Sequence, residues 1–196
     1  MTTTAIPNRT WLLLLFLSIG LGGNAQSACE TLQDRVDEFT GDRTLVIAPP
    51  VQGPGPALQW TSHNGSIALS IEWTRTDPPA VVFEDDTLML KLENDQVIVL
   101  RSTRTMVGRT LLNDAGTTEV RGTYVYSVST DQLALLGHHW VQKARIYFRD
   151  GHDEFEASTD PAWQMGLWKS ANCLQLALGL KAAPEAISGF EDDPGN

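Results

Sequence analysis

The sequence predicts a mainly β protein: an antiparallel β-sandwich, or a partly open barrel, with one short helix and a longer C-terminal helix packed on the sheet. Three observations predict it. Apolar and polar residues alternate with period two from Thr44 to Ala157, the pattern of half-buried antiparallel strands. Asn-Gly, Asp-Gly and Glu-Asn-Asp segments punctuate that alternation where hairpins need turns. Two stretches break it with helix-start chemistry, one in the middle and one near the C-terminus.

The chain opens with Arg9, the apolar run Trp11–Leu21, and the small residues Gly22, Gly23 and Ala25. A positive start, about ten apolar residues and a small-residue exit form a secretory signal pattern, and the run is shorter than the ~20 residues of a membrane-spanning helix. Residues 1–25 are read as signal peptide, cut after Ala25, or after Ala28 with the bulkier Gln26 three positions back. Cys29 lies where a lipid acceptor would stand, but Gln26-Ser27-Ala28-Cys29 lacks the Leu of the Leu-Ala-Gly-Cys pattern. The expected address is exported (periplasmic, outer-envelope associated or secreted), with no transmembrane span after cleavage. The remaining chain of about 170 residues fits one β-rich domain over 26–180. Residues 181–196, rich in Gly and Pro and carrying Glu185, Glu191, Asp192 and Asp193, read as a disordered acidic tail.

Cys29 and Cys173 are the only cysteines, one at each end of the domain. In an oxidising compartment they form a disulfide tying the N-terminal strap to the C-terminal helix; the alternative is two free thiols with Cys173 buried on a helix face. Pro49-Pro50 and Gly53-Pro54-Gly55-Pro56 make a stiff linker after the first strand. Leu58–Ser62 then turns through Asn64-Gly65 into a strand with Ile67, Leu69, Ile71 and Trp73 on one face and Ala68, Ser70, Glu72 and Thr74 on the other. Thr87–Leu92 turns at Glu93-Asn94-Asp95 into Gln96–Arg101, with Leu88, Leu90, Leu92, Val97 and Val99 expected on the core. Thr118–Ser129 places Val120, Gly122, Tyr124, Tyr126 and Val128 in phase. Ser129 and Gln132 have capping-box spacing for a helix through Leu136, closed by Gly137. Ala144, Ile146 and Phe148 lead to Asp150-Gly151, expected as a type I′ turn, and a return strand His152–Ala157. Asp160-Pro161 opens a helix to about Gly179 with an apolar stripe Trp163, Leu167, Ala171, Leu174 and Leu178.

Four segments carry a resemblance: Asp37-Glu38-Phe39-Thr40-Gly41, Thr87–Asn94, Tyr126–Leu133 and Val141–Gly151. Together they resemble a group of exported β-rich proteins common in Bacteroidetes-type bacteria, whose counterparts run DEFTG, LMLKLENG and KIRIYxxDG. Asp95, where that hairpin carries Gly, and His138-His139-Trp140 depart from the pattern. The resemblance implies the fold and the exported address and transfers no catalytic residue.

The formal charge of −10 argues against a nucleic-acid surface and against polybasic membrane docking. Candidate metal ligands are His138, His139, His152 and Asp153, but they lack the spacing of a His-Glu-x-x-His or Cys-x-x-Cys site. They define the alternative function of a metal-dependent hydrolase using nearby acids. Glu84-Asp85-Asp86 and Asp150–Glu154 read as turns rather than Ca2+ loops. Arg101, Arg104, Arg109 and Arg121 cluster around a loop expected over Thr105–Thr117, where guanidinium forks could hold carboxylate or phosphate; the simpler reading is exposed strand residues pairing with the surplus Asp and Glu of neighbouring strands. Trp60, Trp140 and Trp168 are open to core or sugar-stacking roles. The expectation is a monomeric or weakly associating, non-catalytic exported module with no cofactor, contacting an envelope protein or an anionic polymer and no nucleic acid; a small-ligand carrier would require a closed barrel.

Overall fold

The computed structural model describes residues 28–49, 55–76, 80–112 and 116–180. The predicted signal peptide, linker residues 50–54 and the acidic tail lie outside the described residues. The strands are β1 (Leu32–Val36), β2 (Arg43–Ile47), β3 (Ala57–His63), β4 (Ser66–Arg75), β5 (Val81–Val82), β6 (Thr87–Leu92), β7 (Val97–Ser102), β8 (Met106–Val107), β9 (Arg109–Leu112), β10 (Thr118–Val128), β11 (Val141–Phe148) and β12 (Gly151–Phe155). Helix α1 (Thr130–Leu136) follows β10, and α2 (Pro161–Ala177) ends the fold.

Ten strands join in one antiparallel sheet ordered β1-β2-β3-β4-β10-β7-β6-β11-β12, with β9 beside β10; β5 and β8 form a separate pair. Among the described residues the sheet is open at β1 and β12 and forms no closed barrel, the enclosure that the carrier reading required. β10 organises the architecture. It pairs with β4 from Val120 to Val128, but its other edge is shared: Thr118–Arg121 meets β9, while only Tyr126 and Ser127 meet β7. At this loose seam the sheet doubles back on itself, giving a sandwich-like core. Trp60, Leu69, Ile71, Leu88, Leu90, Leu100, Tyr124, Tyr126 and Ile146 are all buried in that one core. Side chains of β12 and of the turn before it reach the end of β4 across the gap. Trp73 Nε1 donates to Asp153 Oδ2 at 3.2 Å, and Arg75 pairs with Asp150 at 2.9 Å and Asp153 at 3.1 Å while its guanidinium lies 4.4 Å from the centre of the Phe148 ring.

Local chemistry explains the expected elements. Asn64 and Gly65 both have positive φ (48° and 84°), as a type I′ hairpin needs, and His63 faces Ser66 across them. Ser129 Oγ accepts from Gln132 N while Gln132 Oε1 accepts from Ser129 N, closing the capping box, so α1 begins at Thr130. Asp160 Oδ1 accepts from Trp163 N at the start of α2, with Pro161 in the first turn. Trp163, Leu167, Ala171 and Leu174 are buried, and Leu178 packs at the stripe's end. Trp60 Nε1 donates to Ser170 Oγ at 2.9 Å, fixing α2 to β3 inside the core. Cys29 and Cys173 form the disulfide, with their Cα atoms 5.4 Å apart, so the N-terminal strap is tied to α2. The Asp37–Gly41 motif is a self-capped turn: Asp37 Oδ1 accepts from Phe39 N and Thr40 N, and Gly41 takes φ +76°.

Four expectations are corrected. Val97 and Val99 are 53% and 39% exposed; Ile98 and Leu100 fill the core instead. The three-residue turn Glu93-Asn94-Asp95, with Asp95 at φ +64°, sets Gln96 opposite Leu92 and Val97 opposite Lys91, so Val97 and Val99 share the outward face of Lys91 and Met89. Asp150-Gly151 is not a type I′ turn: Phe148 faces Gly151 across Arg149 and Asp150, and of these only Gly151 has positive φ. The return strand stops at Phe155, because Ala157 enters a 3-10 turn ahead of the α2 cap. Within the segment Thr105–Thr117, expected as one loop, Met106–Val107 and Arg109–Leu112 are the short strands β8 and β9, and residues 113–115 lie outside the described residues. No described helix is long and apolar enough to cross a membrane.

Candidate functional site

The change of partner along β10 creates the most chemically distinct surface. After Ser102, at the end of β7, the chain crosses over Thr103–Gly108 to start β9. Thr103 N donates to Val125 O, and Gly108 N donates to Ala80 O at 2.8 Å. Ala80 O also accepts from Tyr124 Oη at 3.0 Å, so one carbonyl anchors both the crossover and β10. Two glycines make this approach feasible. A Cβ at Gly108 would lie 2.7 Å from Val120 Cγ1, and one at Gly122 would lie 2.3 Å from Tyr124 Oη.

Under the crossover, on the outer face of β4 and β10, is a cleft of about 630 Å³. Arg104, Arg109 and Arg121 line it, with Thr105, Thr123 and Glu72 as polar groups and Met106, Val107 and Leu111 as apolar wall. The structure therefore brings together three of the four arginines singled out in the sequence. Arg101 shares the outer face on β7, opposite Thr87 and Ser127, and stands outside the cleft. Arg121 Nε lies 3.6 Å from Glu72 Oε1, a diagonal cross-strand pair set by the register Glu72 to Thr123 and Thr74 to Arg121. Arg104 and Arg109 have exposed side chains and no carboxylate partner among the described residues. Beyond the Arg121–Glu72 pair, a further hollow of about 390 Å³ continues past Trp73 and Glu154 to Phe155. The pair thus stands between two hollows of one groove.

The histidine candidates fall elsewhere. His139 precedes β11, whereas His152 faces Tyr147 at its far end, a separation of about 20 Å along the strand. His139 Nδ1 is 3.5 Å from Glu93, and its Nε2 is 3.3 Å from Asn94 Nδ2; His138 is exposed beside it. His152 lies against Tyr147, ring centres 5.5 Å apart. Asp153 is occupied by Trp73 and Arg75. Hydrogen bonds from Lys143 and then Arg145 hold the Glu154 carboxyl below the usual carboxylate range. The hydrolase alternative needs His152 and its acids beside His138 or His139, and the register keeps them apart. Among the described residues no group of three or more His, Cys, Asp and Glu side chains is arranged to hold a metal ion. Asp85 takes φ +69° and Asp86 Oδ2 accepts from Phe83 N, so Glu84-Asp85-Asp86 is the expected turn.

Of the open tryptophans, Trp60 is core, while Trp140 and Trp168 stack on each other with ring centres 5.6 Å apart. Sequence reasoning missed Glu72 as a site residue. Its outward position was readable from the alternation of β4, but its pairing with Arg121 depends on a register between strands far apart in the chain. No family model, no curated protein and no solved structure matches this chain.

Proposed function

We propose that this chain is an exported, monomeric, non-catalytic module of the bacterial cell envelope or secreted fraction that holds an anionic partner in the arginine cleft. The carrying observation is the convergence of Arg104, Arg109 and Arg121 on one cleft of a protein whose net charge is −10. Guanidinium forks recognise carboxylate and phosphate by paired hydrogen bonds, and they act there as donors rather than proton shuttles. Glu72 already occupies one fork, so an incoming anion would exchange with it. The groove's continuation past that pair suits an extended acidic polymer or an acidic segment of an envelope protein better than a single small ion. The signal-peptide pattern, the exported group that the sequence resembles, and the Cys29–Cys173 disulfide support the address.

The test compares the native chain with an Arg104→Ala/Arg109→Ala variant in calorimetric titrations against polygalacturonate and polyphosphate, at low and high salt. Both residues are exposed, so the variant keeps the native Tm. Native binding that weakens with salt, and falls about tenfold or more in the variant, supports the reading. Carboxylate and phosphate sources are told apart by which polymer binds. Equal binding by both proteins, or none by the native chain, would overturn it.

A further inference from the structure

We propose a second binding site of different chemistry: a subsite for an uncharged hexopyranose on the indole of Trp140. The site lies where the β6–β7 turn, the start of β11 and the first turns of α2 converge, in a cleft of about 390 Å³ lined by Glu93, Trp140, Gln142, Ser158, Gln164 and Met165 among others. α1 separates it from the C-terminal end of β10, whereas the arginine cleft gathers at the N-terminal half of that strand. The two sites share no lining residue.

The indole is held before any ligand arrives. Trp168 stacks on it at 21° between planes and does not line the cleft, so the side of Trp140 turned from Trp168 is the one presented. Trp140 N donates to Glu93 Oε1 at 3.4 Å, and Trp140 O accepts from Glu93 N at 3.0 Å. These two bonds hold the Trp140 backbone, and the stack on Trp168 restrains the indole itself, so the ring has less rotamer freedom to lose on binding. The rim supplies hydrogen-bonding groups. Gln164 Nε2 donates to Val141 O at 2.7 Å, which leaves its Oε1 as an acceptor. The Gln142 amide has no hydrogen-bond partner among the described residues. Glu93 Oε1 is engaged by Trp140 and His139, leaving Oε2 as a further acceptor.

A flat apolar ring beside two amides and a carboxylate fits a pyranose with equatorial hydroxyls. Its axial C–H face packs on the indole while its hydroxyl edge meets the amides and the carboxylate. Among the described residues that line the cleft, Glu93 alone is ionisable, so uronic acids are disfavoured and neutral sugars favoured. This site does not depend on the arginine cleft.

The experiment follows the tryptophan indole N–H signals of the full chain by 15N NMR, with Trp140→Phe assigning its own peak, during titration with cellohexaose and with N-acetylglucosamine tetramer. The expected result is a saturable shift of the Trp140 signal with Kd on the order of 1 mM for at least one probe. Gln142→Ala, at a partly exposed side chain without a partner, should weaken binding about threefold or more and leave the fold intact. Trp140→Ala should abolish it, and Arg104→Ala/Arg109→Ala should leave it unchanged. Absence of any shift with both probes would overturn the site, as would binding that Gln142→Ala leaves unaltered.

Discussion

Replacing Glu72 by Gln tests the exchange that the arginine cleft requires. Glu72 Oε1 sits 3.6 Å from Arg121 Nε with both side chains about half exposed. At that distance the attraction is roughly 1 kcal/mol in bulk water, and exposed pairs of this kind contribute about 0.2–1 kcal/mol net. An anion entering the cleft must first displace this carboxylate, so its loss should tighten polygalacturonate or polyphosphate binding by a factor of about 1.5 to 5. Fold stability should change by less than about 0.5 kcal/mol, because the amide fits the same outward position of β4. Calorimetric titration at low salt, with urea unfolding as control, reads both quantities. Glu72→Gln binding the polymer more weakly than the native chain at unchanged stability would refute the reasoning, since Glu72 would then belong to the recognition itself.

The disulfide closes a loop across a sequence separation of 144, for which the chain-entropy model gives about 5 kcal/mol. A Cys29→Ser/Cys173→Ser variant should lose about 2–5 kcal/mol in urea unfolding, and a loss below about 1 kcal/mol would show that the strap contributes little. The core tyrosines should separate in mutation. Tyr124 Oη donates to Ala80 O, whereas the buried Tyr126 Oη has no hydrogen-bond partner among the described residues, so Tyr124→Phe should cost about 1 kcal/mol and Tyr126→Phe should be neutral or stabilising; the reverse order would contradict this account of the core. Burial raises the Tyr124 phenol from 10.0 to about 12 and pushes Tyr126 up as well. A raised folded value contributes stability that is complete below the unfolded value and lost as pH rises through the folded one. Circular dichroism should therefore hold to about pH 10 and fall toward pH 12 together with the appearance of phenolate absorbance. Phenolate appearing from both residues with the fold intact at pH 10 would count against it.

The elements legible in the sequence are those whose signal is local. β4 announces itself by Ile67, Leu69, Ile71 and Trp73, α2 by Asp160-Pro161 and its apolar stripe, and the hairpin at Asn64-Gly65 by residues that tolerate positive φ. The disulfide was legible because only two cysteines exist in a chain with an export signature. β1 was not legible: Leu32–Val36 is an edge strand, mostly exposed, with no apolar alternation to betray it. The phase of β7 was missed although its turn was found, because Val97 and Val99 alternate with the equally apolar Ile98 and Leu100, so hydrophobicity alone does not mark the core face. The arginines were visible as types, but their convergence was not. It follows from β10 giving up β9 for β7 midway, a pairing choice made by strands far apart in sequence. The stacking of Trp140 on Trp168 is hidden for the same reason, since it joins the start of β11 to the middle of α2.

The most direct measurement of the central claim is a titration of the full chain with polygalacturonate followed through the arginine side-chain Nε–H signals. The account predicts that Arg104, Arg109 and Arg121 shift together and saturate at one common concentration, while Arg43 and Arg145, held by Asp34 and Glu154, stay in place. Signals that never move, or arginines that all shift uniformly as charge screening would make them, would contradict it.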